Sequence, residues 1–393
     1  MKFTVESANT MAVPAPKLFS GRVLVAVFGL ACLPIGILWD VSHHSTIGRD
    51  TFWTPAHIVI QLGGIIPAMM FSWIAFKTTF FGTTEERNCS VRFWGFYAPI
   101  GVWVTIWGSL AMVTSAPFDD WWHNTYGLDV KIVSPPHAIL GTGMLAVSMG
   151  ILLYVFSTQN QAATAVQKQR GLVCAIAVGI MITLWGDFST EFTWPNRQHG
   201  AYFYRVLCTP FPLMLALAAR AARIRGAATI AALTYLGIYV FMILALPLFP
   251  AHPKLSPIYM PVDHMVPPAF PLLLFVPAVV FDLIEYRAGK FAKKPWWLDW
   301  LQAIVLGGLF LVIMYAVQWH FSAFLLSDAA DNRFFARNGH WPYFANPGDW
   351  KNQFWTGDVD PVTTGRLLRA ALVAMVSTRL GLWAGNYLLR LKR

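Results

Sequence analysis

Three residues near the start of the chain have the types and the spacing to hold a cation. Asp40 and His44 are four apart, so a helix through them sets both on one face, one turn apart. His57 follows thirteen residues after His44, in the run TPAH. Thr54 suits an N-cap and Pro55 a first helical turn, which puts His57 at the start of a returning helix, beside the last turn of the one before. The pattern recurs. Asp119 and His123 are again four apart, and His137 lies fourteen further on, behind Ser134, Pro135 and Pro136. A single Asp-x3-His serves equally well as a helix-end cap at a membrane rim. Two copies at the same topological place, each closed by a Pro and a His, point to metal. One carboxylate with two imidazoles suits copper, zinc, iron or nickel, and a 2-His-1-carboxylate face with open positions also fits non-haem Fe(II). His43 adjoins His44, but the spacing to Asp40 favours His44. Arg49 and Asp50 are placed either to orient the imidazoles or to form a surface ion pair.

The elements that must position these residues are membrane spans. Hydrophobic residues make up 56% of the 393, charged residues only 12%, and mean hydropathy is +0.51. A soluble chain carries about twice that share of charge. The apolar runs are continuous rather than alternating, which excludes a β-barrel and predicts an all-α, polytopic transmembrane bundle. About ten runs approach the roughly 20 residues a span needs: 22–39, 57–77, 92–114, 137–156, 171–187, 201–219, 227–249, 266–285, 300–319 and 370–389. The first is read as a retained span, because no small-residue cleavage site precedes Asp40.

Charge orients the bundle. Lys and Arg gather in the N-terminal tail, in the connections after even-numbered spans and at the C-terminus, which predicts both termini in the cytoplasm. That distribution accounts for the net charge of +10 without a nucleic-acid partner. Nine of the ten His fall near the outer ends of spans, with His340 in the long outer loop. The Asp–His–His residues are therefore expected on the extracytoplasmic side of the cell (inner) membrane. Cys32, Cys89, Cys174 and Cys208 form no CxxC pair, which excludes a thiolate metal site and gives no disulfide framework.

Two further groups carry suitable donors. Asp187, Glu191 and His199 read best as a capped helix end. His252, Asp263 and His264, with Met260 and Met265 nearby, have the donors for Cu(I), although Met is also a common core residue in membranes. His320 reads as an interfacial histidine. Arg379, inside the tenth run, calls for an acid or a polar cavity.

The segment DVSHHSTIGRDTFWTPAH closely resembles the metal-site segment of the C subunit of copper-dependent membrane monooxygenases, including the frame from Thr46 to His57. DDWWHNTYGLDVKIVSPPH resembles the second copper site of that subunit, where the family has Asn in place of Asp119. WGDFSTEF, SPIYMPVDHM and QWHFSAFLLSDAADNRFF are similar to segments of the A subunit, in the same order. The resemblance implies a C-like half (1–160) followed by a possible A-like half (161–393). It also implies one or two copper ions held by Asp40, His44, His57, Asp119, His123 and His137, zinc or iron remaining open. The implied activity is hydroxylation of a small apolar substrate with O2. Nothing resembles the B subunit, so either a separate cupredoxin-like or other subunit supplies that role or the enzyme works without it; the lipid bilayer and an electron source such as a quinol are expected partners, and a homo-oligomer is a possible one.

Overall fold

An apolar run in a membrane has to satisfy its own backbone N–H and C=O groups, and a helix does so within one segment. The computed structural model describes residues 21–48, 53–127, 134–194, 197–254, 263–289, 296–325, 327 and 360–392. Almost all of them are helical: α1 (Gly21–Thr46), α2 (Pro55–Phe81), α3 (Thr84–Asn88), α4 (Ile100–Tyr126), α5 (Pro135–Asn160), α6 (Thr164–Thr193), α7 (Ala201–Leu207), α8 (Pro210–Ala221), α9 (Ala227–Ala245), α10 (Phe275–Ala288), α11 (Trp296–Leu325) and α12 (Thr364–Arg390). Among the described residues nine helical segments are long and apolar enough to cross a membrane, α7 and α8 together counting as one. The chain is a multi-pass helical membrane protein.

Two expected runs come out differently. The run at 266–285 gives only the 14 helical residues of α10, because Pro267, Pro268 and Pro271 remove three backbone donors and hold 263–274 out of a helix. Side chains take up the freed polar groups instead. Leu272 N–H donates to Tyr235 Oη (3.0 Å), Leu273 N–H to Gln318 Oε1 (3.1 Å) and Val266 N–H to Thr46 Oγ1 (2.8 Å). The run at 92–114 is also displaced. Val91–Phe93 (β1) and Phe96–Ala98 (β2) pair as an antiparallel hairpin, the one sheet among the described residues. Its turn, Trp94 and Gly95, has positive φ at both positions, the geometry that matches strand twist in a two-residue loop. Pro99 then opens α4, which carries on through Asp119 and His123 to Tyr126.

The pairs α4–α5 and α1–α2, which carry the Asp–His–His residues, pack most closely. Small residues allow it. Gly101 and Gly108 of α4 face Gly150 and Gly143 of α5, seven apart on each helix. A Cβ on Gly150 would lie 2.3 Å from Thr105 Oγ1 and 2.6 Å from the Gly101 carbonyl oxygen. Lipid tails provide no hydrophobic drive between helices, so such close backbone approach is what holds a pair together. Gly150→Val is expected to force α4 and α5 apart, costing at least the ~1–3 kcal/mol of core overpacking. The check is a lower melting temperature in detergent.

One continuous core joins both halves of the chain, from Leu30 and Leu33 through Val147 and Met181 to Phe281, Phe310 and Leu382. The alternation of the helices brings nine histidines to one end: His43, His44, His57, His123, His137, His199, His252, His264 and His320. His340 lies outside the described residues, as do Arg49, Asp50 and Met260.

Candidate metal centre

The first constellation is built from two helix ends. α1 extends past the expected span to Thr46, so Asp40 and His44 sit on consecutive turns at its end. Gly48, at φ 104°, then turns the chain away. The α1 terminus is held from outside by the connection that follows α9. Lys254 N–H donates to the Ile47 carbonyl (2.9 Å), and the Ser42 hydroxyl to the Val266 carbonyl. On the returning helix Thr54 is the N-cap, Pro55 the first residue and His57 the third. Side chains at that third position fold back toward the cap, as in a capping box. Thr54 has the extended backbone of a cap but makes no side-chain capping bond, which corrects the expectation for its hydroxyl.

The result is a compact donor set. Asp40 Oδ2 lies 3.7 Å from His44 Nε2, and Asp40 Oδ1 lies 3.2 Å from His57 Nε2. One ligand atom from each of the three residues falls within 4.8 Å of the others, and no other such group of His, Cys, Asp and Glu occurs among the described residues. Asp40 Oδ1 is buried yet has no hydrogen-bond partner. An unsatisfied buried acceptor costs about 1–3 kcal/mol, and a cation between the carboxylate and the two imidazoles removes that cost. The residues therefore fit a metal ion.

The second constellation uses the same plan more loosely. Asp119 Oδ1 lies 3.5 Å from His123 Nε2 and 3.7 Å from His137 Nδ1. That oxygen too is buried without a hydrogen-bond partner. The imidazole rings are 6.5 Å apart, centre to centre, so each His approaches the carboxylate without closing a single compact set. Two residues that sequence reasoning did not assign a role here orient the rings. His123 Nδ1 meets the carbonyl of Gly127 at 3.1 Å, and Gly127, at φ 84°, closes α4. His137 Nδ1 meets the hydroxyl of Ser134 at 2.7 Å, and Ser134, the N-cap residue of α5, makes no side-chain capping bond. Partners of this kind fix a ring's tautomer and direction.

The remaining sequence groups do not assemble among the described residues. Asp187 accepts a hydrogen bond from Tyr239 Oη (2.9 Å). His199 is buried, its Nε2 3.0 Å from the Trp319 carbonyl oxygen. Asp263 and His264 pair with each other at 2.6 Å on the surface. The Arg379 guanidinium stacks over the Trp300 ring at 5.1 Å, where an acid or a cavity was expected. His199 has a consequence for stability. Burial lowers its pKa below the ordinary 6.5, outweighing the Trp319 carbonyl that raises it, with His320 adding a smaller downward push. The unfolded chain therefore binds the proton first. The stabilisation from neutral His199 is complete above pH 6.5 and is lost as pH falls through the lowered folded value. The melting temperature in detergent is expected to fall with acid over that window, and His199→Gln to flatten the fall.

The chain matches no family model, and neither a curated protein nor a solved structure is similar to it.

Proposed function

We propose that this chain is a copper-dependent membrane oxidoreductase of the monooxygenase kind. Asp40, His44 and His57 hold the principal copper, and Asp119, His123 and His137 hold a second, weaker one. The observation that carries the reading is the compact set around Asp40, with its buried, unsatisfied Oδ1. Bound copper would supply the binding and activation of O2. Hydroxylation places one oxygen atom in the substrate and reduces the other to water, which takes two electrons and two protons from an external reductant. The protein's own residues do the rest. Asp40 supplies the negative charge that balances the cation, while His44 and His57 supply neutral nitrogen donors and leave coordination positions open. The Asp119 carboxylate gives the second site a charge that an Asn would lack. Apolar substrate reaches the helix ends through the bilayer.

In this reading the basic end of the bundle lies in the cytoplasm with both termini, and the histidine end faces the extracytoplasmic side of the cell membrane. The similarity to C-subunit and A-subunit segments, and the sorting of Lys and Arg from His, support that orientation. A copper-holding protein without oxygen chemistry is the second reading, favoured by the half-exposed His44 imidazole, open to metal exchange with water. Elemental analysis of native membranes decides among copper, zinc and iron. Reductant-dependent O2 uptake with a hydroxylated product, abolished by His57→Ala, is the expected result. Full copper without O2 uptake would leave only the holding role.

A further inference from the structure

The opposite end of the bundle carries a cavity that the metal chemistry does not use. It measures about 420 Å³ and is lined by Val91, Ile100, Tyr387, Arg390, Leu391 and Lys392. It lies between the β1–β2 hairpin and the end of α12. We infer that this cavity binds the headgroup of an anionic phospholipid.

Three observations lead there. The first is charge. Four of the five described acids on this end of the molecule are engaged elsewhere, and the fifth, Glu85, lies exposed in the first turn of α3. Glu86 closes the capping box of α3. Asp282 accepts the N–H groups of Ala228 and Thr229 at the start of α9. Glu285 and Asp299 hold Arg220. No described acid pairs with Arg390 or Lys392. The second is that these two cations are not needed to finish their own helix. Asn160 Nδ2 donates to the carbonyls of Leu388 (2.7 Å) and Leu391 (2.9 Å), and Gln161 Nε2 to that of Lys392 (2.6 Å). Among the described residues nothing else takes up their positive charge.

The third observation is depth. The hairpin folds back along α4, so that Phe93 packs on Trp103 and Trp107, Trp94 packs on Trp107, and Trp103 Nε1–H donates to the Val91 carbonyl (3.0 Å). Trp94, at the tip, is 80% exposed. Exposed Trp and Tyr settle at the headgroup level of a bilayer, which sets the mouth of the cavity beside the lipid phosphates. Arg390, Lys392 and the Tyr387 hydroxyl then meet the phosphodiester, and Val91, Ile100 and Leu391 meet the start of the acyl chains. A headgroup without a compensating amine fits best, as in phosphatidylglycerol.

The test uses the full chain in neutral detergent, melted while titrated with phosphatidylglycerol, phosphatidylcholine or inorganic phosphate. Only phosphatidylglycerol should raise the melting temperature. Arg390→Gln with Lys392→Gln should weaken its apparent affinity about 25-fold, from about fivefold for each basic residue near a membrane surface. Lys77→Gln with Arg287→Gln removes equal charge from exposed positions on the same end and should change nothing. Native mass spectrometry of the unaltered protein, offered both lipids in equal amounts, should retain phosphatidylglycerol selectively. Equal effects of the two lipids, an equal loss in the Lys77/Arg287 control, or stabilisation by inorganic phosphate would each overturn the proposal.

Discussion

On the proposed copper assignment, His57→Ala is expected to lower copper by one tightly held equivalent per chain, whereas His137→Ala should leave that equivalent in place and remove only copper that a mild chelator also removes. The difference follows from the geometry of the two constellations. Around Asp40 all three donors converge, so each His44 or His57 deletion breaks a closed set. Outer-sphere partners alone are worth about 10–100-fold in metal affinity, and loss of a direct ligand should exceed the upper end of that range. Around Asp119 the two imidazoles approach the carboxylate separately, and His137 shares its Nδ1 with Ser134. A metal there has to draw His137 away from that hydroxyl or recruit its other nitrogen, which makes binding weaker from the outset. Copper counted by elemental analysis on native membranes, with the spectrum of the bound ion before and after chelation, checks both halves of the prediction. If His57→Ala keeps the full equivalent with an unchanged spectrum, the assignment to Asp40, His44 and His57 fails.

How much of this was legible in the sequence depends on the range of the interaction. The pairs Asp40–His44 and Asp119–His123 are written in a four-residue spacing, and the returning histidines in Thr-Pro and Ser-Pro-Pro helix starts. The bundle itself is written in hydropathy. The eighth run misled because counting apolar residues passes over Pro267, Pro268 and Pro271, which were visible but were outweighed by their apolar neighbours. The β1–β2 hairpin was hidden inside a hydrophobic run for the same reason, although Trp94-Gly95 is a turn. Other features depend on residues far apart in the chain and could not be read from spacing. The clamp from Val266 and Lys254 onto the end of α1 crosses more than 200 positions. The partner of Arg379 is a ring on α11 rather than an acid, which no local pattern announces. The different compactness of the two sites depends on how helix pairs settle, not on spacings that are nearly equal.

A second network between distant residues carries the second large prediction. Arg220 ends α8, and the sequence places it only among the basic residues that orient the bundle. In the folded chain it is buried, and all five of its N–H donors are used, which is the full inventory of a guanidinium. Nε donates to Glu285 Oε1 (2.6 Å), and Nη2 donates to Glu285 Oε2 (3.0 Å) and Gln302 Oε1 (2.9 Å). Nη1 donates to Asp299 Oδ1 (3.0 Å) and Asn386 Oδ1 (2.8 Å). The acceptors come from α10, α11 and α12, so one side chain ties four helices together. Gly385 makes room for its stem, since a Cβ there would lie 2.7 Å from Arg220 Cβ. The second carboxylate is tolerated because Asp299 sits in the first turn of α11, at the positive end of its dipole, and accepts from Asn386 Nδ2 at 2.9 Å. Arg220→Ala removes the cation that pairs with Glu285 and Asp299 among the described residues and leaves two largely buried carboxylates facing each other, a loss of about 3–5 kcal/mol for a broken buried pair. Arg220→Lys should recover only part of that, because an ammonium cannot match the bidentate fork on Glu285. Neutralising the partners is the sharper control. Arg220→Met combined with Glu285→Gln and Asp299→Asn leaves no unpaired charge, and should melt closer to the unaltered protein than Arg220→Ala does. Melting curves in detergent rank the three variants. If Arg220→Ala melts with the unaltered chain, the network is ornament on a bundle held by packing alone.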